Sequence, residues 1–110
     1  MTTTTAELRE KVARKLTISS SDMALEAEDT DRIDDRIGEV TSHLRERGLA
    51  WWIDNAIPDA AVLPMVMIVA YWAADDFGKT AGPTWARDGE ALLASIKPSG
   101  VIETVKMEAF

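Results

Sequence analysis

The segment GLAWWIDNAIPDAAVLPMVMIVAYWAADDFG, from Gly48 to Gly78, decides how this chain folds. It holds three of the four tryptophans, and after Pro58 apolar residues fill it almost without interruption. The region before it is polar and rich in charge. A block this apolar either inserts into a membrane, fills the core of a domain, or contacts a partner.

The longest apolar stretch within this segment is AAVLPMVMIVAYWAA, from Ala60 to Ala74. A helix that spans a bilayer needs about 20 such residues. This stretch is shorter, contains Pro64, and lies between acidic residues at Asp59 and Asp75, with no basic flank to set an orientation. We therefore expect no membrane partner. Because a helix that is apolar on all sides is buried on all sides, we expect a central helix surrounded by three others.

The apolar residues also exceed what one small core requires, because the other helices offer only thin apolar stripes. Trp, Tyr and Met are enriched at protein interfaces, which suggests that part of the block faces a neighbouring subunit. For the adjacent tryptophans we expect one ring in the core and the other at or near a subunit boundary. The alternative places both in the core of the monomer. The residues interpreted as subunit interface or core are Trp51, Trp52, Trp72 and Trp85.

The polar region before the tryptophans predicts two amphipathic helices. In the first, from about Ala6 to Leu16, apolar residues recur every four positions, and Thr5 is the expected N-cap. In the second, from about Leu25 to Arg47, acidic residues occupy the first turns, and Gly48 is the expected stop. The apolar positions are Leu8, Val12 and Leu16 in the first helix, and Ile33, Ile37, Val40 and Leu44 in the second.

Two more helices are predicted after the tryptophans. The third begins near Pro58 or Asp59, runs to about Asp76, and ends at Gly78. Pro64 either kinks this helix or marks its true first turn. The fourth runs from about Pro83 to Ile96.

The last residues of the chain have a different pattern. They follow KPSG, whose proline and glycine end the fourth helix, and they show no long helical period. The sequence therefore predicts an all-α fold, with a small four-helix domain over 1–97 and an extended C-terminal arm over 98–110. We expect the arm to be disordered in the free protein and ordered against a partner, while the alternative is a strand or turn folded over its own domain. Its apolar residues are Val101, Ile102, Val105, Met107 and Phe110.

Nineteen acidic and twelve basic residues give the chain a net charge of −7. A domain of this sign is not expected to hold DNA through a broad phosphate-binding face, because that requires clustered Lys and Arg. It is compatible with a passage through which DNA slides, since repulsion prevents sticking. In the second helix the carboxylates alternate with Ile33 and Ile37, so they point away from the core. They face either such a channel or plain solvent, and the candidates are Asp31, Asp34, Asp35 and Glu39.

Few residues suggest catalysis. The chain has no cysteine, and its one histidine, His43, is expected on a solvated face of the second helix. The acidic run EAEDTDRIDD lacks the glycine and the terminal glutamate of an EF-hand loop. The tripeptide GKT lacks the earlier glycine of a phosphate-binding loop, because position 73 is alanine. We therefore expect no enzymatic activity, no cofactor and no metal site.

Three adjoining pieces carry a family resemblance: HLRERGLAWW, then DNAIPDAAVLPMVMIVA, then AADDFG. Together they resemble head–tail adaptor (connector) proteins of tailed bacteriophages and gene transfer agents, in particular the packaged-DNA stabilisation or head-completion family. The resemblance covers about Ala6 to Gly78 and is less clear across the fourth helix and the tail.

The resemblance implies a helical structural protein of the virion neck, made in the host cytoplasm. Such adaptors form rings, typically of twelve subunits, under the portal. The ring extends the channel, through which DNA passes without specific binding, and docks the tail or the next neck protein. By position, PSGVIETVKMEAF would be the portal-binding arm, although it is shorter than in some members. The residues by themselves leave an alternative open, a small helical protein-binding or regulatory module with another partner.

Overall fold

Four helices and one short strand pair make up the computed structural model, which describes residues 2–18, 25–53 and 55–96. The fold is therefore all-α, as the sequence predicts. The predicted arm over 98–110 lies outside the described residues. The elements in chain order are β1 (Thr2–Thr3), α1 (Thr5–Lys15), α2 (Ala27–Glu46), β2 (Ile57–Pro58), α3 (Asp59–Ala73), one 3-10 turn (Ala74–Phe77) and α4 (Trp85–Ile96).

α1 begins one residue earlier than its hydrophobic spacing predicts, because Thr4 is the N-cap and Thr5 is already helical. The Thr4 hydroxyl oxygen accepts a hydrogen bond from the Glu7 backbone N–H at 3.2 Å, and a Glu7 carboxylate oxygen accepts one from the Thr4 N–H at 3.1 Å. This reciprocal capping box satisfies two N–H groups near the helix start. Its signal, a threonine three residues before a glutamate, is present in the sequence.

α2 buries the apolar stripe that its spacing predicts, and Gly48 follows it with a φ of 74°. Thr41 lies on the same side, where its hydroxyl donates to the Ile37 carbonyl at 2.7 Å and is thereby satisfied. The buried positions of the stripe are Ile33, Ile37, Val40 and Leu44.

α3 lies at the centre of the fold and contacts α1, α2 and α4. It is helical from Asp59 to Ala73 with Pro64 inside it, so the interpretation of Pro64 as the first turn is wrong. Gly78, at a φ of 66°, ends the 3-10 turn that follows. The fully buried residues of α3 include Ala61, Met65, Ile68, Val69 and Ala73.

By length and composition, the stretch Asp59–Phe77 is apolar enough to cross a membrane. Half of that apolar window is buried inside the domain, and the core helices of other proteins pass the same test. Its contacts with three other helices give it the position of a core helix.

α4 crosses α3 at a glycine. A Cβ atom on Gly89 would lie 2.7 Å from the Cγ1 atom of Ile68 and 2.9 Å from the Pro64 carbonyl oxygen. Both distances are shorter than such contacts allow, so the close approach of the two helices depends on glycine at this position. Leu93, four residues further along α4, is fully buried.

β1 and β2 form an antiparallel pair, with Thr2 opposite Pro58 and Thr3 opposite Ile57. Nothing in the hydrophobic pattern predicts these two-residue strands. They join the residues before α1 to the residues before α3, so these two helices start side by side.

Candidate interaction surfaces

α3 presents an apolar face to solvent. Leu63, Met67 and Tyr71 recur every four residues and therefore share one side of the helix, which we call the α3 stripe. The exposed fraction is 62% for Leu63 and 42% for Tyr71, and Met67 is half-buried. The expectation that this helix is buried on all sides is wrong here, because the other helices cover only part of its circumference.

Acidic residues bracket the α3 stripe. Asp59 at the start of α3 and Asp75 in the 3-10 turn after it are both exposed. α3 itself contains no basic residue. The stripe is therefore an apolar surface with a negative charge near each end.

The loop between α2 and β2 packs onto the domain, as its apolar composition predicts, with one exception. Trp52 is buried and Trp51 is half-buried, and their ring centroids lie 5.1 Å apart in an edge-on arrangement. The adjacent rings thus occupy different environments, while a subunit boundary beside one of them stays a prediction. The exception is Ile53, which is 80% exposed.

Hydrogen bonds hold this loop on both sides of Ile53. Before it, the Trp52 carbonyl accepts from Arg45 Nη2 at 2.8 Å. After it, the Asn55 side-chain oxygen accepts from the Thr5 N–H at 2.8 Å, and Asn55 has a φ of 66°, which asparagine tolerates better than most residues. Ile53 is therefore an exposed apolar residue that directly follows a position anchored to α2 through Arg45.

The four candidate channel residues of α2 do not share one environment. Asp34 lies at the boundary with α1, where Arg9 Nε and Nη2 donate to its two carboxylate oxygens at 2.8 and 3.0 Å. The hydrogen bond to Asp34 raises the pKa of the Arg9 guanidinium. Asp34 therefore joins α1 to α2 and is half-buried, whereas the other three candidates are exposed. These exposed residues are Asp31, Asp35 and Glu39.

A second bidentate ion pair fixes α2 to the 3-10 turn. Arg36 Nε and Nη2 donate to the two carboxylate oxygens of Asp76 at 2.8 and 3.0 Å, and Arg36 Nη1 also contacts Glu39 at 3.2 Å. The hydrogen bond from Arg36 holds the pKa of the Asp76 carboxyl below its ordinary value. Asp76 lies in AADDFG, one of the three segments that carry the family resemblance. Its carboxylate is held by Arg36 within the fold.

Two depressions border the acidic face. One is a cleft of about 330 Å³ between α1, α2 and the tryptophan loop, and the other is a shallow depression of about 640 Å³ along α2. Both are lined by Asp34, Gly38 and Ser42, and no heavy atom lies within 4 Å of the Cβ position of Gly38. The depression along α2 is lined by four carboxylates, whereas the cleft beside the tryptophan loop has Arg45 as well as Asp34 in its lining.

The remaining tryptophans lie at the margin of the core. Trp72 is half-buried, with its ring centroid 5.4 Å from that of His43, which is itself half-buried and lines the open depression along α2. Trp85 is also half-buried, and Lys15 Nζ lies 4.3 Å from its ring centroid. Partial burial of this kind fits both of the predicted roles, core margin and subunit interface.

Among residues 2–18, 25–53 and 55–96, no group of three His, Asp or Glu side chains is arranged to hold a metal ion. The predicted portal-binding residues from Val101 to Phe110 lie outside those ranges. The α3 stripe and Ile53 were not singled out from the sequence. The sequence shows more apolar residues than one small core requires. After Asp59, however, no charged residue in α3 marks which side of the helix faces solvent.

Comparison with protein-family models, with curated proteins and with solved structures gave no match to this chain. What the protein does is therefore inferred from its own residues.

Proposed function

We propose that this protein is a structural virion protein, a head-to-tail adaptor whose copies form a ring under the portal. The observation that carries the proposal is the α3 stripe, an apolar face of the central helix that the domain leaves uncovered. Contiguous apolar surface rimmed by charge is typical of sites where proteins associate. The resemblance of the segments around Gly48 to Gly78 to head–tail adaptors supports the specific setting.

The charge of the chain supports the role as a channel. The exposed carboxylates of α2, at Asp31, Asp35 and Glu39, would repel the phosphates of DNA moving past them. A net charge of −7 opposes tight binding of nucleic acid. In this proposal the ring guides DNA without recognising it.

The arm over 98–110 would bind the portal. An extended segment supplies backbone donors and acceptors for pairing with a sheet edge, while alternate side chains fill pockets. In this proposal the helical domain builds the ring and presents a surface to the tail, and the apolar arm residues reach the portal.

The cleft beside the tryptophan loop favours a second candidate, a small helical module that binds a different protein. Such a module would use the open space at Gly38 and Ser42 and would not be a component of virus particles.

The test of the proposal is to purify the virus particles whose genome encodes this chain and to locate the protein within them. We expect it at the junction of head and tail, detected by labelled antibody in electron micrographs and by mass spectrometry of isolated necks. Its absence from the neck would sink the proposal and leave the binding module as the better candidate.

The role of the arm in portal binding is tested by comparing two variants of its residues. Changing its five apolar residues to serine should weaken co-purification with the portal at least about tenfold, because each buried apolar side chain contributes about 1.5–3 kcal/mol. Changing the polar residues Glu103 and Lys106 to serine is the matched control and should leave it within about twofold. Equal portal binding by both variants would remove the arm from the proposal.

A further inference from the structure

We infer that the α3 stripe is the docking site for the chain's own C-terminal segment, residues 97–110, in the free protein. Of the two alternatives for this segment, this is the one in which it folds over its own domain, and the α3 stripe is the surface that receives it. The contact itself does not depend on the proposed function, whereas its consequence for portal binding does.

The C-terminal segment leaves the domain near the first residue of the α3 stripe. α4 begins after a short connection from the end of α3, and at Gly89 it lies against Pro64 and Ile68 in the middle of that helix. Helices joined by a short connection are antiparallel neighbours, so α4 runs back along α3 and ends at Ile96 toward the start of α3. Leu63, which belongs to the first turns of α3 and is largely exposed, lies at that end.

The segment is long enough to cover the whole stripe. Residues 97–110 number fourteen, and in extended form they reach about 45 Å. From Leu63 to Tyr71 the stripe extends about 12 Å along the helix axis. Pro98 and Gly100 occur at the start of the segment, where they allow the chain to turn back toward α3.

The composition of the segment suits an apolar surface with acidic ends. It carries Lys97 and Lys106 against two glutamates, so it has no net charge, while the whole chain carries −7. Lys97 directly follows α4 and would bring a positive charge toward the start of α3, where Asp59 is exposed. The apolar side chains available to cover the stripe are Val101, Ile102, Val105, Met107 and Phe110.

The other parts of the chain outside the described residues suit the stripe less well. Residues 19–24, SSSDMA, offer one large apolar side chain, Met23, and an aspartate without a basic residue. Ile18 and Leu25 on either side of them pack against the core, so this segment is tied at both ends. One apolar side chain on a segment so restricted does not cover three residues spaced along about 12 Å of helix. Position 54 is a single aspartate.

A second copy of the chain competes poorly with a tethered segment. A short flexible tether holds its segment at an effective concentration on the order of 1 mM, which a second copy must match if it offers equal contacts. A second copy also brings a net charge of −7 toward the same charge, which opposes close approach. The segment of the same chain is therefore the occupant that the length, charge and tethering favour.

The contact has a consequence that rests on the proposed function. The same apolar side chains would be buried against the α3 stripe and against the portal, so the two contacts exclude each other. A portal that takes the segment would uncover the stripe, and the uncovered stripe could then contact a neighbouring subunit.

The test measures tryptic cleavage after Lys106 in the isolated full-length protein, followed by mass spectrometry. Cleavage tracks the fraction of molecules in which a segment is released, so a docked segment is cut more slowly. We expect cleavage at least about tenfold slower than in a free peptide of residues 97–110. Leu63→Asp should accelerate cleavage about tenfold, because it places a charge where the segment buries apolar side chains.

Ile53→Asp is the matched control, since it makes the same change at an exposed apolar residue outside the stripe. It should leave the cleavage rate within about twofold of the unmodified protein. Both positions are exposed enough to leave the fold unchanged, as circular dichroism would verify.

Any of three results would overturn the inference. Cleavage of the unmodified protein as fast as the free peptide means that the segment is not docked. Equal rates for the two variants mean that something else covers the stripe, such as residues 19–24. Protection that grows with protein concentration assigns the stripe to a second copy. Failure here with the protein present at the neck leaves the proposed function standing, whereas protection with the protein absent from the neck does the reverse.

Discussion

At the scale of single residues, Thr4 fixes where α1 begins. Its hydroxyl accepts from the Glu7 N–H, and this hydrogen bond replaces one that the helix cannot make within itself. The Glu7 side chain returns a bond to the Thr4 N–H, which lowers the pKa of the Glu7 carboxyl because the charged form is the better acceptor. The start of the helix is thus set by two side chains rather than by the apolar spacing.

We expect Thr4→Ala to lower the free energy of unfolding by about 1 kcal/mol, because it removes the N-cap acceptor. Thr5→Ala is the matched control, since Thr5 contributes its backbone N–H to Asn55 and that group is retained. Urea denaturation of both variants measures the difference. Equal losses of stability would mean that the hydroxyl of Thr4 does not cap α1.

At the scale of elements, the crossing of α3 and α4 is decided by the size of one side chain. Gly89 lies against Ile68 and the Pro64 carbonyl, so α4 approaches α3 more closely than a helix with a Cβ there would permit. Gly38, in the middle of α2, has no neighbouring atom within 4 Å of its Cβ position. A side chain is therefore expected to destabilise the fold at Gly89 and to be tolerated at Gly38.

Gly89→Ala should lower the free energy of unfolding by about 1–3 kcal/mol, because the clash outweighs the better helix propensity of alanine. Gly38→Ala should raise it by up to about 1 kcal/mol, since only the propensity changes. Thermal and urea unfolding of the two variants side by side provide the measurement. The packing described for α4 is contradicted if both substitutions stabilise the protein.

At the scale of the whole molecule, bidentate ion pairs connect α2 to its neighbours. Arg9 and Asp34 link it to α1, and Arg36 and Asp76 link it to the turn after α3. Both pairs join residues far apart in the chain, so they form only when the helices are packed. The pair of Arg36 and Asp76 also makes the stability of the fold depend on pH.

The pKa of the Asp76 carboxyl is lowered in the folded protein, first by the hydrogen bond from Arg36. The stabilisation is therefore complete above the unfolded-chain value of about 3.9, and it is lost as pH falls through the lower folded value. We expect Asp76→Asn to cost about 1 kcal/mol at neutral pH after allowance for solvent screening, and the deficit to shrink toward zero in strong acid.

Urea unfolding at neutral pH and again below pH about 3 measures this dependence. The exposed neighbour gives the control, Asp75→Asn, which should change stability little at either pH. A deficit for Asp76→Asn that is equal at both pH values would show that the ion pair is not its source.

The sequence by itself determined the number of helices, their order and most of the core. Apolar residues repeat at helical spacing in α1 and α2 because polar residues separate them, and such a local pattern marks the buried side of a helix directly. The stops at Gly48 and Gly78 are local as well, since glycine accepts a positive φ at little cost. The surplus of apolar residues near the tryptophans also predicts that some of them lie outside the core, although it does not indicate which ones.

Only the tertiary structure decided which apolar residues stay exposed. α3 is apolar all round, so nothing in its sequence distinguishes the side that α4 covers from the side that carries Leu63 and Tyr71. Likewise, Trp52 is buried and Ile53 beside it is exposed, which their shared apolar character does not distinguish. The exposure of an apolar residue depends on which helices pack beside it, and that is a property of the assembled fold rather than of local spacing.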